Sequence, residues 1–143
     1  MRIVRSVLLV HDEPDDFCGL ETMLRDQRVR TLRAHDHTEA ESVLRNTEPI
    51  DLVLTAAVLR AGTWRDTMHT VSRAAKRAPV IVVSRVMSVP LYFDTQDAGA
   101  IDFIVLPVTA RDLAFVLHVA LNRAGSGMAP SVPDQRGAVA CQS

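Results

Sequence analysis

Val7-Leu8-Leu9-Val10-His11-Asp12-Glu13-Pro14-Asp15-Asp16 is the stretch whose reading decides the fold. Four apolar residues run without interruption into a turn crowded with carboxylates. A short apolar run bounded by a turn is the pattern of a strand buried on both faces, as a parallel sheet requires. Pro14 has the fixed φ of a first helical turn, and the acids beside it suit the positive end of a helix. The stretch therefore reads as strand, acidic loop, helix, with the loop at the carboxyl end of the strand, where open α/β sheets place their sites.

The same alternation continues outward from it. Phe17, Leu20 and Leu24 make the inward stripe of a helix over 14–27. Residues 29–34 alternate apolar and basic, the pattern of an edge strand whose charges discourage further pairing. Thr38-Glu39-Ala40-Glu41 has capping-box spacing and predicts a helix over 38–46. Residues 50–55 form a central strand, and 56–62 a loop ending in Gly62. A helix follows over 63–77, with Met68, Val71 and Ala75 inward. Residues 79–84 are a β-branched strand, and 90–98 a helix with Pro at its start and Gly99 as its C-terminal cap. The last strand covers 101–105, and Thr109-Ala110-Arg111-Asp112 opens a helix to about Arg123. Such alternation argues a parallel sheet with helices on both faces and right-handed crossovers.

Composition narrows the function. A chain of 143 residues with 48% apolar content and a mean hydropathy of +0.10 is long and apolar enough for one domain with a real core. After Arg123 the chain is Gly, Ser, Pro and Ala without periodicity, so the domain is placed at 1–123 and 124–143 is read as a disordered tail. Sixteen basic against 17 acidic residues give a net charge of −1, which offers no footprint for nucleic acid or an anionic membrane. Cys18 and Cys141 match no metal spacing and read as reduced thiols. No signal peptide is visible, and Leu113–Leu121, broken by His118, cannot span a bilayer. The expected location is the cytoplasm.

With these segments in order, the chain resembles the receiver domain of two-component response regulators over about residues 3–123. Val7 to Pro14 looks like the family's acidic-pair loop, and Ile50-Asp51-Leu52-Val53-Leu54-Thr55 like the strand leading to its phosphoacceptor. Pro79 to Ser84 looks like the strand ending in the family's hydroxyl, and Gly99 to Pro107 like the final strand and its lysine–proline turn. The resemblance implies a doubly wound, CheY-like three-layer αβα fold with strand order 2-1-3-4-5.

The departures from the family pattern carry the functional reading. Ala56 stands at the phosphoacceptor position and has no nucleophile. Leu106 replaces the lysine that anchors phosphate, and His11 replaces the first acid of the pair, leaving Asp12 and its neighbour Glu13. The family's Mg²⁺ uses that acid, the phosphoacceptor and a carbonyl two residues on, here Val58, so no cofactor is expected. Ser84 and Phe103 retain the hydroxyl and the switch aromatic, and Arg85, where the family has a small residue, either fills the pocket by pairing with Asp12 or Glu13 or points to solvent. Asp51 starts its strand, and at about 3.3 Å per residue it lies roughly 16 Å from the loop, too far to be a displaced acceptor.

Other constellations were weighed against this reading. His11, Asp12, His35 and His37 fall at one end of the sheet if the implied strand order holds, and form the alternative of a metal- or small-ligand-binding sensor. Phosphorylation at a non-standard residue is a further alternative. Ser84, His11 and Asp12 lack the geometry of a triad, so enzymatic activity is not expected. On the final helix Leu113, Leu117, Ala120 and Leu121 form the inward stripe, which leaves Phe115, Val116 and Val119 opposite. With Leu91, Tyr92, Phe93 and Asp102, they predict an interface for a protein partner or for self-association on the face formed by the fourth helix, the fifth strand and the final helix. The sequence thus predicts a stand-alone, degenerate receiver, an interaction module that works without phosphorylation.

Overall fold

The computed structural model describes residues 5–12, 14–46, 49–74 and 78–126. Five parallel strands form one sheet: β1 (Ser6–Val10), β2 (Arg30–Ala34), β3 (Leu52–Ala56), β4 (Val80–Ser84) and β5 (Asp102–Val105). Their spatial order is β2-β1-β3-β4-β5, the doubly wound order that the sequence implied. Five helices connect or follow them: α1 (Pro14–Asp26), α2 (His37–Asn46), α3 (Trp64–Ser72), α4 (Val89–Ala98) and α5 (Ala110–Ser126). A short hairpin, Val58–Leu59 paired with Gly62–Thr63, sits between β3 and α3 where a plain loop was expected.

Burial explains the strand order. β1, β3 and β4 are buried along their whole length, so they occupy the middle of the sheet. β2 carries exposed Arg30 and Arg33 and takes the edge, where Arg33 pairs with Glu21 of α1 at 3.2 Å. The register sets Val10 beside both Ala34 and Thr55, Ala56 beside Val83, and Ser84 beside Val105. All of these residues lie at the carboxyl ends of their strands, so one edge of the sheet gathers the loops that follow. At the other end, Asp51 accepts the Ser6 N–H at 2.8 Å, a role in joining strands.

Several element ends differ from the sequence reading. α2 begins at His37, because Asp36 and not Thr38 caps it: Asp36 Oδ1 accepts the Glu39 N–H at 2.9 Å. α3 is capped by Thr63, whose hydroxyl and the Asp66 carboxylate form a reciprocal capping box. It ends at Ser72, and Ala75 lies outside the described residues. α4 is capped by Ser88 and closed by Gly99, which takes the left-handed conformation at φ 102°. α5 runs past the expected boundary to Ser126, and the predicted tail beyond it lies outside the described residues.

The helical stripe of α5 needs a correction. Leu113, Val116, Leu117 and Ala120 face the sheet, and Val116 is only 2% exposed. Val116 is therefore core and not interface. It stands three residues after Leu113, and a stripe at i, i+3, i+4 and i+7 is how a helix packs on a sheet. Leu121 is half-buried at the margin.

Candidate functional site

Asp12, at the end of β1, reaches across to the hairpin. Its Oδ2 accepts the backbone N–H of Arg60, 48 residues away in sequence. That bond ties the β1 loop to the hairpin over the end of β3. Beneath it, Ala57 donates its N–H to the Val83 carbonyl at 2.8 Å and accepts from Trp64 at 3.1 Å, so the hairpin is anchored to both β4 and α3. The buried hydroxyls of Thr55 and Thr67 share a bond of 3.0 Å and hold α3 against the end of β3.

These loops enclose a cavity of about 370 Å³, lined by Asp12 and Phe17, by residues 56–60, and by residues 83–86. Its floor is apolar: Ala56, 4% exposed, ends β3 where a longer side chain would project into it. Ser84 is not turned toward the cavity's centre for hydrogen bonding. Its hydroxyl donates to the Val86 carbonyl at 2.7 Å, and its oxygen accepts the Val86 N–H at 3.1 Å. Asp12 is the one acidic residue among the cavity's described lining residues, and Arg60 and Arg85 are the basic ones.

Of the residues singled out in the sequence, Asp12, Ala56, Ser84 and Arg85 come together here. His11 and Leu106 do not line this cavity. His11 is 4% exposed and stacks flat on Phe17, with ring centroids 4.6 Å apart. Among the described residues neither of its ring nitrogens has a hydrogen-bond partner, and burial holds the imidazole below its ordinary pKa of 6.5. Leu106 donates its N–H to the Ser84 carbonyl at 2.8 Å, precedes a cis peptide to Pro107, and borders a neighbouring cavity against α1. Glu13 lies outside the described residues. Sequence reasoning missed Phe17, Leu59 and Arg60 as lining residues; the Arg60 contact is a backbone bond with no side-chain signature.

The histidines are not assembled into a site. His35 is exposed and binds Glu39, with Nδ1 2.8 Å from Oε1, while its backbone N–H donates to the same oxygen at 2.6 Å. These bonds lower the Glu39 pKa. Among the described residues no group of three His, Cys, Asp or Glu is placed to hold a metal ion, so His11, Asp12, His35 and His37 make no such centre.

Phe103, on β5, is fully buried and meets Tyr92 edge to face at 5.9 Å. Tyr92 and Leu91 pack from α4 onto this cluster, which also holds Ala57, Trp64, Val82 and Ala100. Asp102 accepts the Phe103 N–H at 2.7 Å. Outward from here, Phe93 is 58% and Phe115 47% exposed, and Val119 is half-buried.

No protein-family model matches the chain. It is 31% identical over 118 residues to the response regulator protein PilR of Pseudomonas aeruginosa; the match covers 82% of the chain and 26% of PilR, so the chain spans about a quarter of that relative. The signal receiver domain of a putative Luxo repressor protein from Vibrio parahaemolyticus is similar at a TM-score of 0.78 and 21% identity, over 87% of this chain and 95% of that one. This chain has the fold of a receiver domain. A second receiver domain, from the sensor histidine kinase PA1611 of Pseudomonas aeruginosa, has a TM-score of 0.73 at 20% identity and covers 83% of this chain and 98% of that one. That protein's structure has a magnesium ion in its active-site cleft. Among the described residues of this chain, no helix is long and apolar enough to cross a membrane.

Proposed function

We propose that this receiver domain is a protein-interaction module of two-component signalling, located in the cytoplasm, that takes no phosphoryl group at the end of β3. One observation carries the reading. The side chain that ends β3 at the cavity is the methyl group of Ala56. A methyl group has no lone pair to attack phosphorus. The cavity's described lining residues also fit Mg²⁺ poorly, because that ion demands near-octahedral oxygen ligation. Asp12 is one carboxylate, already bonded to Arg60, and the Ser84 hydroxyl is turned onto its own loop.

Partner binding is assigned to the α4–β5–α5 face, through Phe93 and Phe115 with Leu91, Tyr92, Asp102 and Val119 around them. Phe93 on α4 and Phe115 on α5 are exposed aromatic side chains that the packing of their own helices does not use. No phosphoryl group would then shift Ser84 and Phe103 between conformations.

Acetyl phosphate with Mg²⁺, followed by intact-mass measurement and an amide NMR titration with beryllium fluoride, tests the reading. The expected result is no phosphoryl mass increment and no saturable shift at Asp12, Ala56, Ser84 or Phe103. A saturable shift at these amides, or a phosphoryl group mapped to any residue of the chain, overturns it. In the Ala56→Asp variant a second carboxylate enters the cavity, and Mg²⁺ should then shift the amides of Asp12 and Ala57, which it leaves in place in the wild type.

A further inference from the structure

The cavity at the end of β3 has a lining whose chemistry is unlike that of a phosphate site. Its wall is apolar, formed by Phe17, Ala56, Leu59 and Val83, and its volume of about 370 Å³ falls within the usual span for small-molecule sites of about 300–1,000 Å³. Two residues of opposite charge stand in that lining, Asp12 and Arg60, and they are joined by the bond from the Arg60 backbone N–H to the Asp12 carboxylate. A carboxylate has lone pairs for further donors beyond that one bond, and a guanidinium presents a fork that matches a second carboxylate.

We infer that this cavity binds a free apolar α-amino acid. The ligand's ammonium would face Asp12, its carboxylate would face Arg60, and its side chain would lie against Phe17, Ala56, Leu59 and Val83. A simple anion would meet Asp12 as a like charge, and a simple cation would meet Arg60 and Arg85. A zwitterion complements both signs, and an apolar side chain fills the remainder. The inference rests on the reading that residue 56 accepts no phosphoryl group, because an aspartyl phosphate would occupy the same space.

Amide NMR titration of the full chain tests it, with L-leucine and L-phenylalanine as probes. The comparison ligands are 4-methylpentanoate, which lacks the ammonium, and isoamylamine, which lacks the carboxylate. Saturable shifts at the amides of Ala57, Ser84 and Val86 are expected with at least one amino acid, at a dissociation constant of about 1 mM or tighter. Each single-charge analogue should bind about tenfold more weakly, the scale of one lost charge-assisted bond. Asp12→Asn and Arg60→Gln should each reduce leucine affinity by a similar factor. Because the analogue series uses wild-type protein, a variant that fails to fold does not decide the matter. No saturable shift with either amino acid, or equal affinity for leucine and both analogues, overturns the inference. A phosphoryl mass increment at this site in a parallel acetyl phosphate arm would instead overturn the reading beneath it.

Discussion

Replacing His11 with Phe should make the protein more stable at neutral pH and remove part of its acid sensitivity. The imidazole is buried against Phe17, and both of its nitrogens lack hydrogen-bond partners among the described residues. A buried donor or acceptor left unpaired costs about 1–3 kcal/mol. Phenylalanine keeps the ring stack and removes that penalty, while its slightly larger ring returns some of the gain as crowding. A net stabilisation of about 1 kcal/mol is expected at pH 8. The pH dependence follows from linkage. Burial is the largest influence on His11 and lowers its pKa; Arg33 and His35 lower it further, and Glu21 and Asp12 oppose them. The unfolded chain, with an ordinary imidazole at 6.5, therefore takes up a proton that the native state refuses. Stability is fully present above pH 6.5 and is lost as the pH falls from there toward the native pKa, at up to about 1.4 kcal/mol per pH unit. Urea unfolding of wild type and His11→Phe at half-unit steps from pH 8 to pH 5.5 measures both effects. The variant's curve should be shallower than that of the wild type below pH 6.5. Parallel curves through this interval would refute the assignment of the acid loss to His11.

Three further perturbations have defined outcomes. Gly62 has φ 138°, and a Cβ there would stand 2.3 Å from Asp66 Oδ2, an oxygen of the α3 capping box, so Gly62→Ala should cost about 2 kcal/mol in denaturant unfolding; a neutral result would mean the hairpin adjusts freely. Phe103→Ala removes a fully buried ring packed against Tyr92 and should cost about 3–5 kcal/mol, whereas a loss below about 1 kcal/mol would show that the cluster closes over the gap. Phe93→Ser combined with Phe115→Ser should leave the unfolding midpoint within about 0.5 kcal/mol per site of wild type and abolish self-association at high concentration in sedimentation velocity; a double variant that associates as the wild type does would remove these two side chains from the interface.

The strands were legible because the residues of β1, β3 and β4 are mostly apolar without alternation, the mark of two-sided burial, whereas their order was implied by the resemblance to receiver domains. Caps were legible only in part. Thr38-Glu39-Ala40-Glu41 has the right residue types, yet Asp36 captures the helix start first, since an aspartate at the preceding turn reaches the Glu39 N–H directly. Val116 was misplaced because Leu121 was counted into the stripe in its stead; the wheel alone does not fix which edge of a wide stripe meets the sheet. At the site, Ala56, Asp12 and Ser84 could be placed from strand ends. The direction of the His11 ring could not, because the last residue of a buried strand has two faces to choose from and Phe17 decides between them. The bond from Arg60 to Asp12 spans 48 positions and uses a backbone donor, so no pattern of side chains announces it.

That bond has a consequence for how long a signal could last. A phosphoryl group is added and removed, and the message it carries decays with it. The link between Asp12 and Arg60 closes the loops over a strand end that carries no such group. If the proposed reading holds, no phosphorylation cycle alters the α4–β5–α5 face, and the occupancy of its partners follows the copy number of the protein and what the cavity holds.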